Sequence, residues 1–139
     1  MNALEIAASG LANNDAEDSL SGACLKNPKA LDALDGLCEQ DFTQPHARAA
    51  FRAIRGLADQ NRRVDLVTLV EALEGAYNRA KDMPVYLSNC VQKTPVWANA
   101  GEYGAIVKEL AIRRRLVDVS AQISAAALDR AQDCAKTLD

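Results

Sequence analysis

The chain has 139 residues, 49% hydrophobic and 25% charged, enough for one domain with a buried core but not for two complete domains. Its net charge of −3 and pI near 5.2 argue against a dedicated nucleic-acid binder, which presents a basic face to phosphates. We therefore expect no direct sequence-specific DNA binding. No run approaches the ~18 apolar residues that span a bilayer, and no signal-like segment opens the chain. These features predict a cytoplasmic protein without membrane contact.

The first elements are predicted from helix start signals and period-3.6 apolar spacing, because no alternation is long enough to indicate a strand. Residues 1–13 are predicted to be a flexible tail. Asn14 or Asp15 caps the first helix, and Pro28 starts a second, short helix that ends near Gly36. The buried faces of these two helices are predicted to contain Leu20, Ala23, Cys24, Leu31 and Leu34.

The third helix is predicted over about residues 45–60, after a loop in which Phe42 anchors the core. Its apolar stripe includes Ala47, Ala50, Phe51, Ile54 and Leu57. A second stripe on this helix is basic and could contact phosphates, although a solvated helix face is the favoured interpretation. That stripe consists of Arg48, Arg52 and Arg55.

Two further helices, at about 65–74 and 84–91, complete a helical head over residues 14–97. The former has Asp65 as its N-cap and Gly75 as its C-cap.

The longest periodic run extends from about residue 98 to 128, which is ~45 Å of helix at 1.5 Å per residue. The head alone cannot cover a helix of this length, so part of it projects and its apolar stripe needs a partner. Segment 98–139 is thus predicted to hold the long helix and, from Asp129 on, a helix-compatible stretch, which the family resemblance given below makes a truncated second hairpin helix. Self-association is predicted through Ile106, Val107, Leu110, Val117 and Ile123.

The four cysteines are widely separated and form no CxxC pair. Since the chain has a single histidine, a zinc site would need all these thiols to converge. We instead expect reduced cysteines that are mostly buried and act as small hydrophobic residues. They are Cys24, Cys38, Cys90 and Cys134.

Motifs for catalysis are missing from the sequence. It contains no GxxxxGK[ST] loop, no GxGxxG turn and no GxSxG elbow. The acidic residues Asp15, Glu17 and Asp18 are explained by the dipole of the first helix, and His46 follows Pro45 in a helix first turn. We predict that this segment is not an enzyme and holds neither a cofactor nor a metal.

Five segments in order resemble the N-terminal domain of DnaB-type replicative helicases. The strongest is Val-Asp-Leu-Val-Thr-Leu at 64–69, and the others are 15–23, 40–46, 86–107 and 114–117. The chain departs from the family pattern at Thr43, where a Tyr is usual, and at 80–84, where the family has Val-Gly-Gly.

The resemblance implies an all-α fold, with a compact helical-bundle head followed by a long helix that begins a helical hairpin. It implies a role in assembly: such hairpins pair between subunits and build a collar on a ring of ATPase domains. The parent protein would be an ATP-dependent 5′–3′ DNA helicase, with ATP and Mg²⁺ bound in a C-terminal domain absent from this segment. Implied partners are further copies of the chain, a DnaG-type primase and a helicase loader.

The resemblance also implies primase-docking positions at Asp15, Tyr86, Val117 and Ile123. Aromatic and aliphatic side chains bury apolar area, at about 25 cal/mol per Å², and a carboxylate steers a basic partner. One alternative is that Tyr86 and Ile123 belong to the core. Another is that the chain is a stand-alone helical adaptor or inhibitor of the same fold, acting on a helicase or primase. The residues encoded after Asp139 would distinguish a stand-alone adaptor or inhibitor from the domain of a helicase.

Overall fold

The computed structural model describes residues 3–131, 133 and 135, and these residues form helices and turns without any strand. The all-α class predicted from the sequence is therefore confirmed. The α-helices are α1 (Ala3–Ser9), α2 (Asn14–Lys26), α3 (Pro45–Asp59), α4 (Leu66–Glu74), α5 (Met83–Lys93) and α6 (Ala100–Leu128). Short 3₁₀ helices cover Pro28–Leu34, Glu39–Asp41, Ala80–Asp82 and Trp97–Asn99.

The chain divides into two compact units. One is Asn13–Lys108, which we call the head, and the other combines Met1–Ala12 with Glu109–Asp139, which we call the terminal unit. The head thus extends beyond the predicted 14–97 and includes the first turns of α6. No helix within the described residues is both long enough and apolar enough to cross a membrane.

Helix α2 is the central element of the head. Its N-cap is Asn13, one residue before the first of the predicted caps. The Asn13 side chain accepts a hydrogen bond from the backbone N–H of Ala16 at 2.9 Å. Every residue from Ala16 to Cys24 is buried. Because alanine, serine and glycine dominate this stretch, neighbouring elements can approach the helix from all sides.

The closest approach is between α2 and α5, at Gly22. A Cβ atom placed on Gly22 would lie 2.2 Å from the carbonyl oxygen of Cys90. The hydroxyl of the fully buried Thr94 lies at the same point. It donates to the carbonyl of Cys90 at 2.8 Å and to the carbonyl of Ser19 at 3.2 Å. Lys26 also donates to the carbonyl of Thr94. The end of α5 is therefore fixed against the backbone of α2.

The start of α3 is held by a carboxylate from α2 instead of its own cap residue. Gln44 occupies the N-cap position without a side-chain cap bond. In its place Glu17, which is 2% exposed, accepts from the N–H of Thr43 at 2.9 Å and of Gln44 at 3.1 Å. The Thr43 hydroxyl donates a further hydrogen bond to the same carboxylate at 2.6 Å. A negative charge at a helix N-terminus is favoured by the helix dipole.

Helices α3 and α4 close the other side of the core as the sequence predicts. Phe42 is fully buried, with its ring centroid 4.9 Å from that of Phe51. Asp65 caps α4 by accepting from the N–H of Thr68 at 2.9 Å, and this hydrogen bond holds the pKa of the Asp65 carboxyl below its usual range. The predicted α3 stripe is buried in full: Ala47, Ala50, Phe51, Ile54 and Leu57.

The short helix after α2 was predicted correctly in position, and its form is 3₁₀. The side chain of Asn27 caps it by accepting from the N–H of Lys29 at 3.0 Å. Leu31 and Leu34 are buried. Gly36 then turns the chain with φ of +85°, a conformation that glycine adopts without strain.

The cysteines follow the prediction in part. Cys24 and Cys90 are buried, and Cys38 is exposed. Burial raises the pKa of both Cys24 and Cys90 to about 12, so both thiols stay protonated at neutral pH. Cys134 lies outside the described residues.

The terminal unit contains α1, a helix that the sequence analysis did not predict. It lies within residues 1–13, which were predicted to be a flexible tail. The guanidinium of Arg114 donates to the carbonyl of Leu11 at 2.5 Å. Along α6, Arg113 pairs with Glu109 at 3.0 Å. The predicted second hairpin helix, 129–139, falls largely outside the described residues.

Candidate docking site around Tyr86

A buried carboxylate on α2 organises the surface where α2 meets α5. The side chain of Asp18 is 7% exposed and accepts three hydrogen bonds. The Tyr86 hydroxyl donates to it at 2.7 Å, Lys93 at 2.8 Å and the Gln44 amide at 3.1 Å. Lys93 also lies 3.4 Å from Asp15, one turn earlier on α2. We call Asp15, Asp18, Gln44, Tyr86 and Lys93 the Asp18 cluster.

One aromatic contact, with His46, supports the Tyr86 ring. Its centroid lies 5.2 Å from that of His46, edge to face. The His46 ring is fixed in turn, because its Nδ1 is 2.7 Å from the Tyr77 hydroxyl and its Nε2 is 3.7 Å from Asp82. The single histidine therefore positions the aromatic side chain and is itself half-buried.

Beside Asp18, the Tyr86 and Lys93 side chains each keep one charge state near neutral pH. Burial, together with the hydrogen bond to Asp18, raises the pKa of Tyr86, so the phenol remains a neutral donor. The hydrogen bond to Asp18 raises the pKa of Lys93, so the ammonium remains charged. The cluster therefore joins a neutral phenol donor and a charged ammonium at one buried carboxylate.

The Asp18 cluster borders a cavity of about 480 Å³ in the head. Besides cluster residues, Asn89, Cys90 and Gln92 of α5 line it. Three or more metal-binding side chains do not converge anywhere in the described part of the chain. Tyr86 is the one aromatic side chain among the described lining residues of this cavity.

The predicted docking set is divided between the two units. Asp15 and Tyr86 both lie in the head and are connected through Lys93 and Asp18. Val117 and Ile123 lie on α6 in the terminal unit, about 120° apart around the helix. Val117 is half-buried and Ile123 is 47% exposed, so Ile123 is not a core residue in the described structure. Tyr86 is half-buried against the core.

The positions predicted for self-association are also spread over different environments. Val107 is buried in the core of the head, and Ile106 is exposed. Leu110 and Val117 are half-buried. The continuous exposed apolar face of α6 is formed instead at spacing i, i+4, i+7 and i+11, which places four side chains on one side of a helix. These four residues, the α6 stripe, are Ile112, Leu116, Val119 and Ile123, and each is more than 40% exposed.

Asp18, Gln44 and Lys93 were not predicted as site residues. Asp18 was explained by the dipole of its own helix, a local interpretation. Its partners Tyr86 and Lys93 are 68 and 75 residues away. The only local hint is the i, i+3 pair of acids at 15 and 18, which places two carboxylates on one helix face and favours a shared cation.

Comparisons with known proteins agree with this architecture. The sequence model of the DnaB-like helicase N terminal domain matches residues 10–109. The crystal structure of the N-terminal domain of DnaB helicase from Mycobacterium tuberculosis superposes with a TM-score of 0.78 at 31% identity, over 84% of each chain. The fold thus defines a helicase N-terminal domain.

Relatives by sequence are replicative helicases. The chain is 34% identical over 126 residues to the replicative DNA helicase DnaB of Rhodothermus marinus, covering 88% of this chain and 13% of that one. It is 34% identical over 111 residues to DnaB of Mycobacterium leprae, covering 78% and 18%. It is 33% identical over 113 residues to DnaB of Pasteurella multocida, covering 79% of this chain and 24% of that one.

The chain therefore belongs to the DnaB-like helicase N-terminal domain family. It spans 13–24% of the length of these curated relatives.

Proposed function

We propose that this chain is the assembly and docking domain of a replicative DNA helicase, and that it docks a DnaG-type primase while the ATP-driven unwinding resides elsewhere in the parent protein. The relatives support the parent activity, because each is a replicative DNA helicase. A helicase loader is a further partner class for the same domain.

The observation that carries the docking proposal is the Asp18 cluster. It presents a half-buried aromatic ring, the exposed carboxylate of Asp15 and a cavity in one place. A well-packed aromatic at the centre of a polar rim is the arrangement found at binding hot spots. In this proposal, the exposed carboxylate of Asp15 steers a basic side chain of the helical C-terminal domain of the primase.

We expect Tyr86→Ala to weaken binding of the cognate primase C-terminal domain by roughly 30-fold, equivalent to about 2 kcal/mol. The matched control is Tyr86→Phe, which keeps the ring and removes only the hydroxyl bonded to Asp18. Calorimetric titration gives the affinities, and the melting temperature of each variant shows whether the fold is intact. Unchanged primase affinity in a folded Tyr86→Ala protein would contradict the proposed site.

The α6 stripe supports the assembly part of the proposal, with a second copy of the chain as its partner. A row of four exposed apolar side chains on one helix side is typical of a helix–helix interface. A carboxylate introduced there would have to be desolvated on association.

We expect Leu116→Glu to weaken self-association at least tenfold, or about 1.4 kcal/mol. Ala125→Glu is the matched control, since Ala125 is exposed and lies about 150° around the helix from the stripe. Sedimentation equilibrium over a range of concentrations measures both variants. An identical dimerisation constant for Leu116→Glu and the unsubstituted chain would show that the stripe is not the interface.

A further inference from the structure

A second cavity in the head, of about 580 Å³, shares no lining residue with the cavity at Tyr86. It lies between α3 and α4, and we call it the α3–α4 groove. Its walls come mainly from these two helices, and the core residues Leu57 and Leu73 reach its lining.

The floor of the groove is apolar and open. It is lined by small side chains from both helices, together with Leu57, Leu73 and Tyr77. Gly56 lies in this floor, and a Cβ atom built on it would meet no heavy atom within 4 Å. The groove therefore has room directly above α3 for the side chains of another molecule. The small residues are Ala49, Ala53, Ala72 and Ala76.

The rim of the groove is basic in a chain that is acidic overall. Arg48, Arg52 and Arg62 line it, and Glu39 is the one acidic residue among the described lining residues. Glu39 lies 3.6 Å from Arg52. Arg48 donates to the carbonyl of Phe42 at 2.8 Å, a bond that orients its guanidinium without neutralising it. The rim thus keeps excess positive charge, against a net charge of −3 for the whole chain.

The end of α3 fixes the position of Arg62. Asn61 adopts a left-handed conformation with φ of 56°. The N–H of Arg62 donates to the carbonyl of Leu57 at 2.9 Å, and the N–H of Asn61 donates to the carbonyl of Ala58 at 3.0 Å. This pair of bonds is the Schellman arrangement of a helix C-terminus. The third arginine is therefore carried by a well-defined turn at the end of the groove.

We propose that the α3–α4 groove binds an acidic amphipathic peptide segment of a partner protein, distinct from the partner at Tyr86. Apolar side chains of the peptide fill the alanine-lined floor, and its carboxylates pair with the guanidinium groups of Arg52 and Arg62. Arginine suits this role because its planar donors match a carboxylate in two-pronged geometry.

The groove chemistry favours a peptide over a nucleic acid. Single strands are held on stacking aromatic side chains along a continuous basic track. Tyr77 is the one aromatic side chain among the described lining residues, and its hydroxyl is engaged by His46. An alanine floor offers no hydrogen bonds to base edges, but it does accept leucine side chains.

The test uses the full chain and a fluorescein-labelled synthetic peptide with leucines on one helical face and glutamates on both flanks. A second peptide carries lysine at every glutamate position, and a labelled oligothymidine probes for nucleic-acid binding. We expect the acidic peptide alone to bind in fluorescence anisotropy, with affinity falling as salt is raised. Binding of the lysine peptide or the oligothymidine in preference to the acidic peptide would overturn the proposal, as would no binding of the acidic peptide.

Substitutions at Gly56 separate the groove from other surfaces, because Gly56 lines the groove and a Cβ atom there meets no heavy atom within 4 Å. We expect Gly56→Glu to bind the acidic peptide at least about tenfold more weakly than Gly56→Gln, which has the same size and no charge. Arg62→Ala should weaken binding in the same direction. Equal affinities for Gly56→Glu and Gly56→Gln would place the peptide elsewhere and reject the groove as its site.

Discussion

Replacing Gly22 by alanine should destabilise the head by about 3 kcal/mol, at the upper end of the range for overpacked cores. The new methyl group would lie 2.2 Å from the carbonyl oxygen and 2.7 Å from the carbonyl carbon of Cys90. These are backbone atoms and cannot rotate away as a side chain can. The two helices must therefore separate, which also disturbs the Thr94 hydrogen bonds. A urea titration followed by circular dichroism measures the loss.

Gly56→Ala is the control, and its expected effect has the opposite sign. Gly56 is also inside a helix, but a methyl group there meets open space. Replacing a helical glycine by alanine should then stabilise the chain by about 0.5–1 kcal/mol. If Gly22→Ala were as stable as the unsubstituted protein, α2 and α5 could not approach as closely as the structure describes.

Substituting Glu17 by alanine should cost about 3 kcal/mol of unfolding free energy. The side chain is buried and accepts from two backbone N–H groups and one hydroxyl. Without it, the N–H groups of Thr43 and Gln44 lose their partners at the start of α3. Thermal and urea unfolding measure the effect, which we expect to equal or exceed that of any single surface substitution.

Glu17→Gln distinguishes the hydrogen bonds from the charge. Both backbone N–H groups bond to the same carboxylate oxygen, Oε1, and glutamine keeps an oxygen at that position. We expect Glu17→Gln to lose clearly less stability than Glu17→Ala. Similar losses for the two variants would mean that the negative charge, and not the capping of α3, accounts for the role of Glu17.

Features with local causes were predictable from the sequence. Asp65 and Gly75 mark the ends of α4 because capping acts over a few residues. Pro45 marks the start of α3, and the α3 stripe repeats with helical period. In each case the residues that signal the element are the residues that form it.

The Asp18 cluster was predicted only in part because its bonds are not local. Asp15 and Tyr86 were identified through the family resemblance, but Asp18 and Glu17 were explained by the dipole of their own helix. Their hydrogen-bond partners are 26 to 75 residues away in the sequence. The spacing of apolar residues predicts helices but not contacts between residues so far apart. Helix pattern alone also could not assign the faces of α6, since apolar residues occur on more than one side of it.

The enclosed position of α2 has a consequence for the order in which the head can fold. Its closest packing partner is α5, and the bond from Thr94 to Ser19 spans 75 positions of the chain. Contacts this far apart in sequence slow folding, because a long loop must close before they form. During synthesis on the ribosome, α2 emerges before α5. The residues of α2 that α5 covers in the folded head are therefore exposed until α5 has been made. The packing of α2 can thus be completed only after α5 has been synthesised.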